Sequence, residues 1–243
     1  MLVKVWVGTS GWMYDHWQEV LYPKELPKRN WLSFYARIFD TVEINASFYH
    51  LPKEKTFERW YHETPSSFLF AVKATRYITH LKKLKDVEEV LGLFYRRVEF
   101  LREKCGPLLF QFPPRFSFDK ENLQSFLSKL SPSFRHVFEF RHPSFFCEEL
   151  YELLTRHSIA LCFADTPFFP YAEVVTASFV YLRLHGSQSL YTHRYSEEEL
   201  YLWAQKIRVW RERYEVYCYF DNDYAGFAVE NALTLTKYLN QAS

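Results

Sequence analysis

The stretch HVFEFRHPSFF, His136 to Phe146, decides the fold. In an extended strand alternate side chains face opposite ways, so Phe138 and Phe140 share one side while Val137, Glu139 and Arg141 share the other. One face is apolar and the other carries paired charges. Two ionisable side chains on the inner face of a central strand are costly to bury unless they pair with each other or meet a ligand. An ion pair that merely plugs a barrel satisfies the same demand, and such pairs perturb their groups as a site does. Repetition of the pattern in other strands tips the reading toward a site.

Working outward, the first strand runs from Val3 to Thr9 and ends in the turn Gly8-Thr9-Ser10-Gly11, followed by a loop holding Trp12, Tyr14 and Trp17. Asn30 is placed to cap a helix through Phe39 with Trp31, Phe34, Tyr35 and Ile38 on its apolar face. In the strand TVEIN, Val42 and Ile44 point one way and Glu43 and Asn45 the other. A helix is expected over Lys53 to His62. The strand FLFAVK then turns Phe68, Phe70 and Val72 outward and leaves Lys73 facing in. A lone inward lysine is usually a counter-ion and less often a Schiff-base amine. Asp86 as cap, Glu88 and Glu89 in the first turn and apolar spacing through Leu101, with Gly106 as terminator, give the next helix.

In the fourth strand, GPLLFQFPP, Gln111 stands between Phe110 and Phe112, and Asp119 caps a helix to about Leu130. Beyond the opening stretch come a helix from Phe146 to His157 and a strand, IALCFADTP, ending in Asp165. Pro167 to Ser178 holds two prolines and hardly room for a helix, so an irregular loop is expected. FVYLRLHG places Tyr181, Arg183 and His185 inward, and Ser196 with Glu199 makes a capping box for a helix to about Tyr214. The strand VYCYFDND puts Asp221 on the Tyr219 side with Asn222 and Asp223 behind it, and a helix from Ala225 to Leu239 follows.

Eight strands alternating with helices, each apolar until its last residues, describe a parallel sheet covered by helices. Closure into a (β/α)8 TIM-type barrel is the natural reading, with a short irregular connection between strands six and seven. Active sites of such barrels sit where the strands end, which is where the polar residues cluster here. An open doubly wound sheet would want a dinucleotide-type glycine turn, and GTSG is not one.

The 243 residues are 48% hydrophobic and 24% charged, enough for a real core, and no linker or shift in composition divides the chain, so one domain spans 1–243. Thirty Lys plus Arg against 29 Asp plus Glu give a net charge of +1, which argues against coating nucleic acid through bulk charge. The four cysteines, Cys105, Cys147, Cys162 and Cys218, lie far apart and read as free thiols. The chain enters a strand at once and has no apolar run of about 18 residues, which indicates a cytoplasmic protein with no membrane segment. Its oligomeric state is left open.

Taken in order, GTSGWMYDHW, VEINASFY, VKATRYITH, LFQFPP, EFRHPSF, ADTP, YLRLHG and YFDNDYAGFAVENA together resemble the YecE-like family, domain of unknown function 72, over almost the whole chain. The resemblance implies a TIM barrel and no established reaction. Its motif positions fall on Glu43, Asn45, Lys73, Gln111, Glu139, Arg141, His142, Asp165, Arg183, His185, Asn222 and Asp223. Phe145 departs from the family pattern, where Trp is expected, and Asp221 stands where Asn is common.

The inward strand-end set therefore carries Glu43, Glu139, Asp165 and Asp221 against Lys73, Arg141 and Arg183, with His185 beside them. That near-balance of charge speaks against a two-metal site, which gathers carboxylates and His without interleaved cations. No metal or cofactor is expected. Arg141 and Arg183 are positioned to grip one phosphate or carboxylate, with Lys73 as a third charge. The reading is an enzyme, a lyase, isomerase or hydrolase, acting on a small anionic substrate. Glu43, Lys73, Glu139, Asp165, His185 and Asp221 supply the acid-base chemistry, and Tyr14, Asn45, Gln111, Arg141, His142, Arg183, Asn222 and Asp223 the binding. The alternatives are a metal-dependent sugar isomerase or phosphoesterase-like barrel, and a non-catalytic barrel that holds a nucleotide or nucleic-acid end, for which Arg76, Lys82, Lys83 and Lys85 give a local basic run. A solvent-open ring further implies that Asp221→Asn or Arg183→Met is neutral or stabilising; a purely structural ring would lose roughly 3–5 kcal/mol on Glu139→Ala or Arg141→Ala.

Overall fold

The computed structural model describes residues 3–241. Its strands are β1 Val5–Thr9, β2 Thr41–Ile44, β3 Leu69–Lys73, β4 Cys105–Gln111, β5 His136–Glu139, β6 Ala160–Asp165, β7 Phe179–Leu184 and β8 Glu215–Phe220. Helices intervene: α1 Trp31–Tyr35, α2 Ala46–Tyr49, α3 Glu54–Glu63, α4 Glu88–Val98, α5 Lys120–Leu127, α6 Glu148–Arg156, α7 Glu197–Trp210 and α8 Phe227–Asn240. The pairings are parallel in the order β1-β8-β7-β6-β5-β4-β3-β2, which is an α/β barrel of TIM type, closed except for a seam between β1 and β2. Pro167 to Ser178 carries no helix, as its prolines dictate. Thr176 ties this segment to β6, donating to Ile159 O at 2.6 Å and accepting from Leu161 N at 2.9 Å.

The seam has its own closure. Ser10 and Glu43 form a single parallel bridge, and upstream of it the hydroxyl of Tyr35 on α1 accepts from Thr9 N at 3.0 Å and donates to Thr41 O at 3.1 Å. A phenol thus completes the hydrogen bonding that two strand backbones leave open. Gly8 is needed here, since a Cβ at that position would lie 2.3 Å from Thr41 O.

Two apolar layers follow from the alternation of side chains. Outside the sheet Phe70, Phe110, Phe112, Phe138 and Phe140 pack under the helices. Phe145 stacks on Phe140 with centroids 4.0 Å apart, and Phe112, Phe116 and Phe118 enclose it, so the phenyl ring fills its site. Inside the barrel, Ala71, Ala160, Cys162 and Ala164 on β3 and β6, with Leu109 and Val137 on β4 and β5, pack with the aromatics Trp6, Phe179, Tyr181, Tyr217 and Tyr219 on β1, β7 and β8. Small residues leave room for large ones, so a dense interior is reached largely with rings, joined by Leu109 and Val137.

Several element ends differ from the sequence reading. Asp86 does not cap α4: its backbone is left-handed at φ 50°, a conformation Asp tolerates, and Val87 precedes the helix. Gly106 does not terminate that helix; it lies within β4, where an added Cβ would approach Leu69 Cδ2 to 2.1 Å. Asn30 belongs to a 3-10 turn, Lys28–Asn30, and makes no side-chain cap, while Ile38 is exposed beyond the short α1. The Ser196–Glu199 capping box and the Asp119 cap are present as read.

Candidate functional site

The inward residues at the strand ends converge on one guanidinium. Arg183 on β7 is wholly buried, and each of its nitrogens is engaged. Nε donates to Glu43 Oε2 at 3.0 Å, and Nη1 to Glu139 Oε2 at 2.7 Å. Nη2 donates to Glu43 Oε1 at 2.8 Å, to Asp221 Oδ2 at 3.0 Å and to Ser10 Oγ at 3.0 Å. Glu43 also accepts from Ser10 Oγ, and from Tyr181 Oη at 2.6 Å. A buried charge tolerates such a position only when its donors and its neighbours' acceptors are satisfied, and here they are.

This arrangement corrects the two-arginine clamp. Arg183 keeps no donor for a substrate, because β2, β5 and the end of β8 each turn a carboxylate onto it. It also removes the expectation that Arg183→Met is neutral, which assumed solvent around the guanidinium.

Arg141, just past β5, is the second cation. Its Nε donates to Glu139 Oε1 at 2.8 Å, and the guanidinium carbon lies 4.9 Å from the Phe169 ring centroid. Tyr191 stands beside the guanidinium and, with Glu139, favours its charge, and among the described residues no second carboxylate pairs with it. Burial raises Glu139, but the guanidiniums of Arg141 and Arg183 overcome that and hold its carboxyl well below the usual carboxylate range. Asp221 is likewise raised by burial and lowered more by Arg183 and His185, to about 2. His185 Nδ1 is 2.9 Å from Asp221 Oδ2.

Lys73, at the end of β3, is the third cation and differs from both. Its side chain faces the mouth, where Nζ lies 4.3 Å from the Phe48 ring centroid. Among the described residues no carboxylate comes within ion-pair distance of it, and it donates no hydrogen bond. Burial, with Arg183 adding repulsion, lowers its amine to about 8 against the pull of Glu139, Asp221 and Glu43. Above this group opens a cavity of about 390 Å³ lined by Tyr14, Asn45, Tyr49, Lys73, Tyr191, Thr192, Asp221, Asp223 and Tyr224. Tyr14 donates to Ser10 O at 2.6 Å, and burial raises its phenol. Asp223 accepts from Trp17 Nε1 at 2.8 Å and contacts His16 Nε2 at 2.9 Å, and burial pushes its carboxyl up to about 6. Among the described residues Asn45 Oδ1 has no hydrogen-bond partner; it is buried beside both this cavity and an apolar hollow of about 250 Å³ against Trp12, Met13 and Trp60.

Three of the residues named from sequence sit elsewhere or do other work. Asp165 faces the helices, not the barrel: Ala160, Cys162 and Ala164 point inward, so the next residue points out and accepts from Tyr195 Oη at 2.7 Å. Burial raises its carboxyl. His142 caps the 3-10 turn Pro143–Phe145 by accepting from Ser144 N. Asn222 is buried and donates to His193 O and to Asn231 Oδ1, holding the loop after β8 to α8. Gln111 turns inward beside Glu139, its register partner. The sequence reading missed Ser10, Tyr49, Phe48, His80 and Tyr191. Ser10 was legible as the residue that continues the inward parity of Trp6 and Gly8 past the end of β1, whereas Tyr191 arrives from a loop with no periodicity. Among the described residues, no set of three or more His, Cys, Asp or Glu side chains is arranged to hold a metal ion. No helix there is long and apolar enough to cross a membrane.

Fold and site together define the class: an α/β barrel of TIM type with a charged cluster where its strands end. The chain belongs to the family described as "Protein of unknown function DUF72", which matches residues 6–243. It is similar to the UPF0759 protein YunF of Bacillus subtilis, 26% identical, covering 97% of this chain and 95% of that protein. It is also similar to the UPF0759 protein YecE of Escherichia coli K12, 26% identical, covering 98% and 93%. Among solved structures, a DUF72 family protein from Thermotoga maritima superposes with a TM-score of 0.88 at 35% identity, covering 98% of this chain and all of that one (100%). One from Enterococcus faecalis gives 0.85 at 21%, covering 98% and 96%, a likeness of fold.

Proposed function

We propose that the mouth binds a small phosphate- or carboxylate-bearing molecule between Lys73 and Arg141 and acts on it by acid-base chemistry. The observation that carries this reading is the division among three cations. Arg183 is consumed by Glu43, Glu139 and Asp221, while Lys73 lines the cavity with no carboxylate paired to it among the described residues and Arg141 is paired with Glu139 alone beside Tyr191, itself a lining residue. Desolvated cations with free donors attract an anion far more strongly than solvated surface ones. Asp223, held near 6 in the same cavity, is suited to exchanging protons near neutral pH.

The test is thermal melting with sulfate, inorganic phosphate, mononucleotides and phosphorylated or carboxylated metabolites. A ligand at a hundredfold excess over its Kd stabilises by about 2.7 kcal/mol, roughly 5–10 °C in a chain of this size. The rise is expected in the wild type and lost in Lys73→Met and Arg141→Met. No rise with any anion would contradict the reading. Mononucleotides belong in the set because Tyr49 and Tyr224 are 67% and 72% exposed at the rim, where a base can stack.

A further inference from the structure

We propose that Lys73 is a nucleophile that condenses with the carbonyl carbon of an aldehyde or ketone to form an imine, at the anion-binding mouth argued above. A second buried lysine shows what a structural ammonium looks like in this protein. Lys104, 4% exposed, donates to Tyr61 O at 2.5 Å, Thr64 O at 2.7 Å and Thr64 Oγ1 at 3.2 Å, so its protons are accounted for. Lys73 is 8% exposed and has no such partner among the described residues. Instead it lies against the Phe48 ring and faces the cavity. An ammonium held for structure would be expected to find acceptors; an amine held for attack needs its lone pair free.

The surroundings bear on the protonation of this amine from every side. Glu43 on β2, Glu139 on β5 and Asp221 after β8 favour the ammonium, whereas burial and Arg183 on β7 oppose it and bring the amine to about 8. His80, in the π-helical turn Tyr77–Leu81 behind Phe48, is itself lowered to about 4 by burial and by Lys73, Arg76 and Arg141, so it adds no charge at neutral pH. A useful fraction of neutral amine therefore exists near pH 8.

The Lys73 lone pair attacks the carbonyl carbon, and the carbonyl oxygen takes a proton to give a carbinolamine. The nitrogen loses a proton, and the hydroxyl takes one and leaves as water, which yields an iminium carrying the charge the ammonium had. Asp223 lines the same cavity and offers a carboxyl able to give and receive these protons. The iminium draws electrons from a neighbouring C–H or C–C bond, which narrows the chemistry to isomerisation or carbon–carbon cleavage.

The experiment incubates the protein with glyceraldehyde 3-phosphate, pyruvate or propanal in the presence of sodium cyanoborohydride and maps the reduced adducts by peptide mass spectrometry. Labelling of Lys73 at least tenfold faster than of any other lysine is expected, with the rate rising through pH 8 and levelling above it. The Lys73→Arg variant, checked for folding by circular dichroism, should lack that adduct. Labelling spread evenly over the lysines, or a Lys73 rate that climbs only near pH 10, would overturn the nucleophile. Inorganic phosphate separates the two claims. Fast Lys73 labelling slowed by phosphate supports both; fast labelling of Lys73 by propanal with no effect of phosphate supports the imine and overturns the anion site. An anion-dependent rise in melting temperature without selective labelling overturns the imine alone.

Discussion

Replacing Arg183 with methionine is the perturbation with the largest consequence. The guanidinium is fully buried and pairs at 2.7–3.0 Å with Glu43, Glu139 and Asp221. Methionine keeps the stem and removes the charge. Glu139 retains Arg141, Asp221 retains His185, and Glu43 is left with only the hydroxyls of Ser10 and Tyr181. Breaking a buried pair from one side costs about 3–5 kcal/mol, which for this length is a fall of roughly 6–20 °C in Tm. The cost is pH-dependent, with a definite sign. In the wild type Glu139 and Asp221 lie below their unfolded values, about 4.3 and 3.9, so their contribution is complete above that range and is lost as pH falls toward about 2. In the variant the stranded carboxylates take up protons at higher pH, so acidification relieves it. Urea unfolding of both proteins should therefore show the full gap at about pH 7.5 and a smaller one at about pH 5. A loss below about 1 kcal/mol, or a gap that does not change with pH, would refute the claim that Arg183 is held by desolvated carboxylates.

Tyr35→Phe removes the hydroxyl that joins Thr9 N to Thr41 O across the seam, and should cost about 1–3 kcal/mol; amide hydrogen exchange at Thr9 is expected to accelerate well beyond that of β6, and equal protection would show the seam closes without it. Asp223→Asn relieves a carboxyl raised to about 6, so wild-type stability falls as pH climbs from about 4 through 6 while the variant's does not. The variant should be the more stable by about 1–2 kcal/mol at pH 7.5 and lose that advantage near pH 4.5, as melts at the two pH values would show; an advantage that is the same at both would contradict the assignment.

The barrel was legible because strand alternation acts at short range. Glu43, Lys73, Glu139, Arg183 and Asp221 each follow an apolar run whose inward parity can be counted, and each lands in the mouth. Asp165 follows such a run as well, but its inward face is marked only by Ala160, Cys162 and Ala164, small residues that carry little signal, so an outward carboxylate at the strand end imitates an inward one. Helix limits were read less well where a left-handed residue, as at Asp86, or a strand glycine, as at Gly106, imitates a cap or stop. What one-dimensional pattern could not supply was the sharing of charge. That Arg183 absorbs three carboxylates while Lys73 has none depends on distances across the barrel among β2, β3, β5, β7 and β8. The same holds for Tyr49 and Tyr191, which reach the cavity from segments without periodic constraint.

The most direct test of the central claim is an NMR titration of the Lys73 ε-methylene, assigned by its loss in Lys73→Arg, without and with the anion that most raises the melting temperature. The account predicts a midpoint near 8 in anion-free buffer, because burial and Arg183 disfavour the ammonium, and a move upward when an anion binds beside it and favours the charge. A midpoint near 10.4, the value of a solvated lysine, or one that no anion moves, would contradict it.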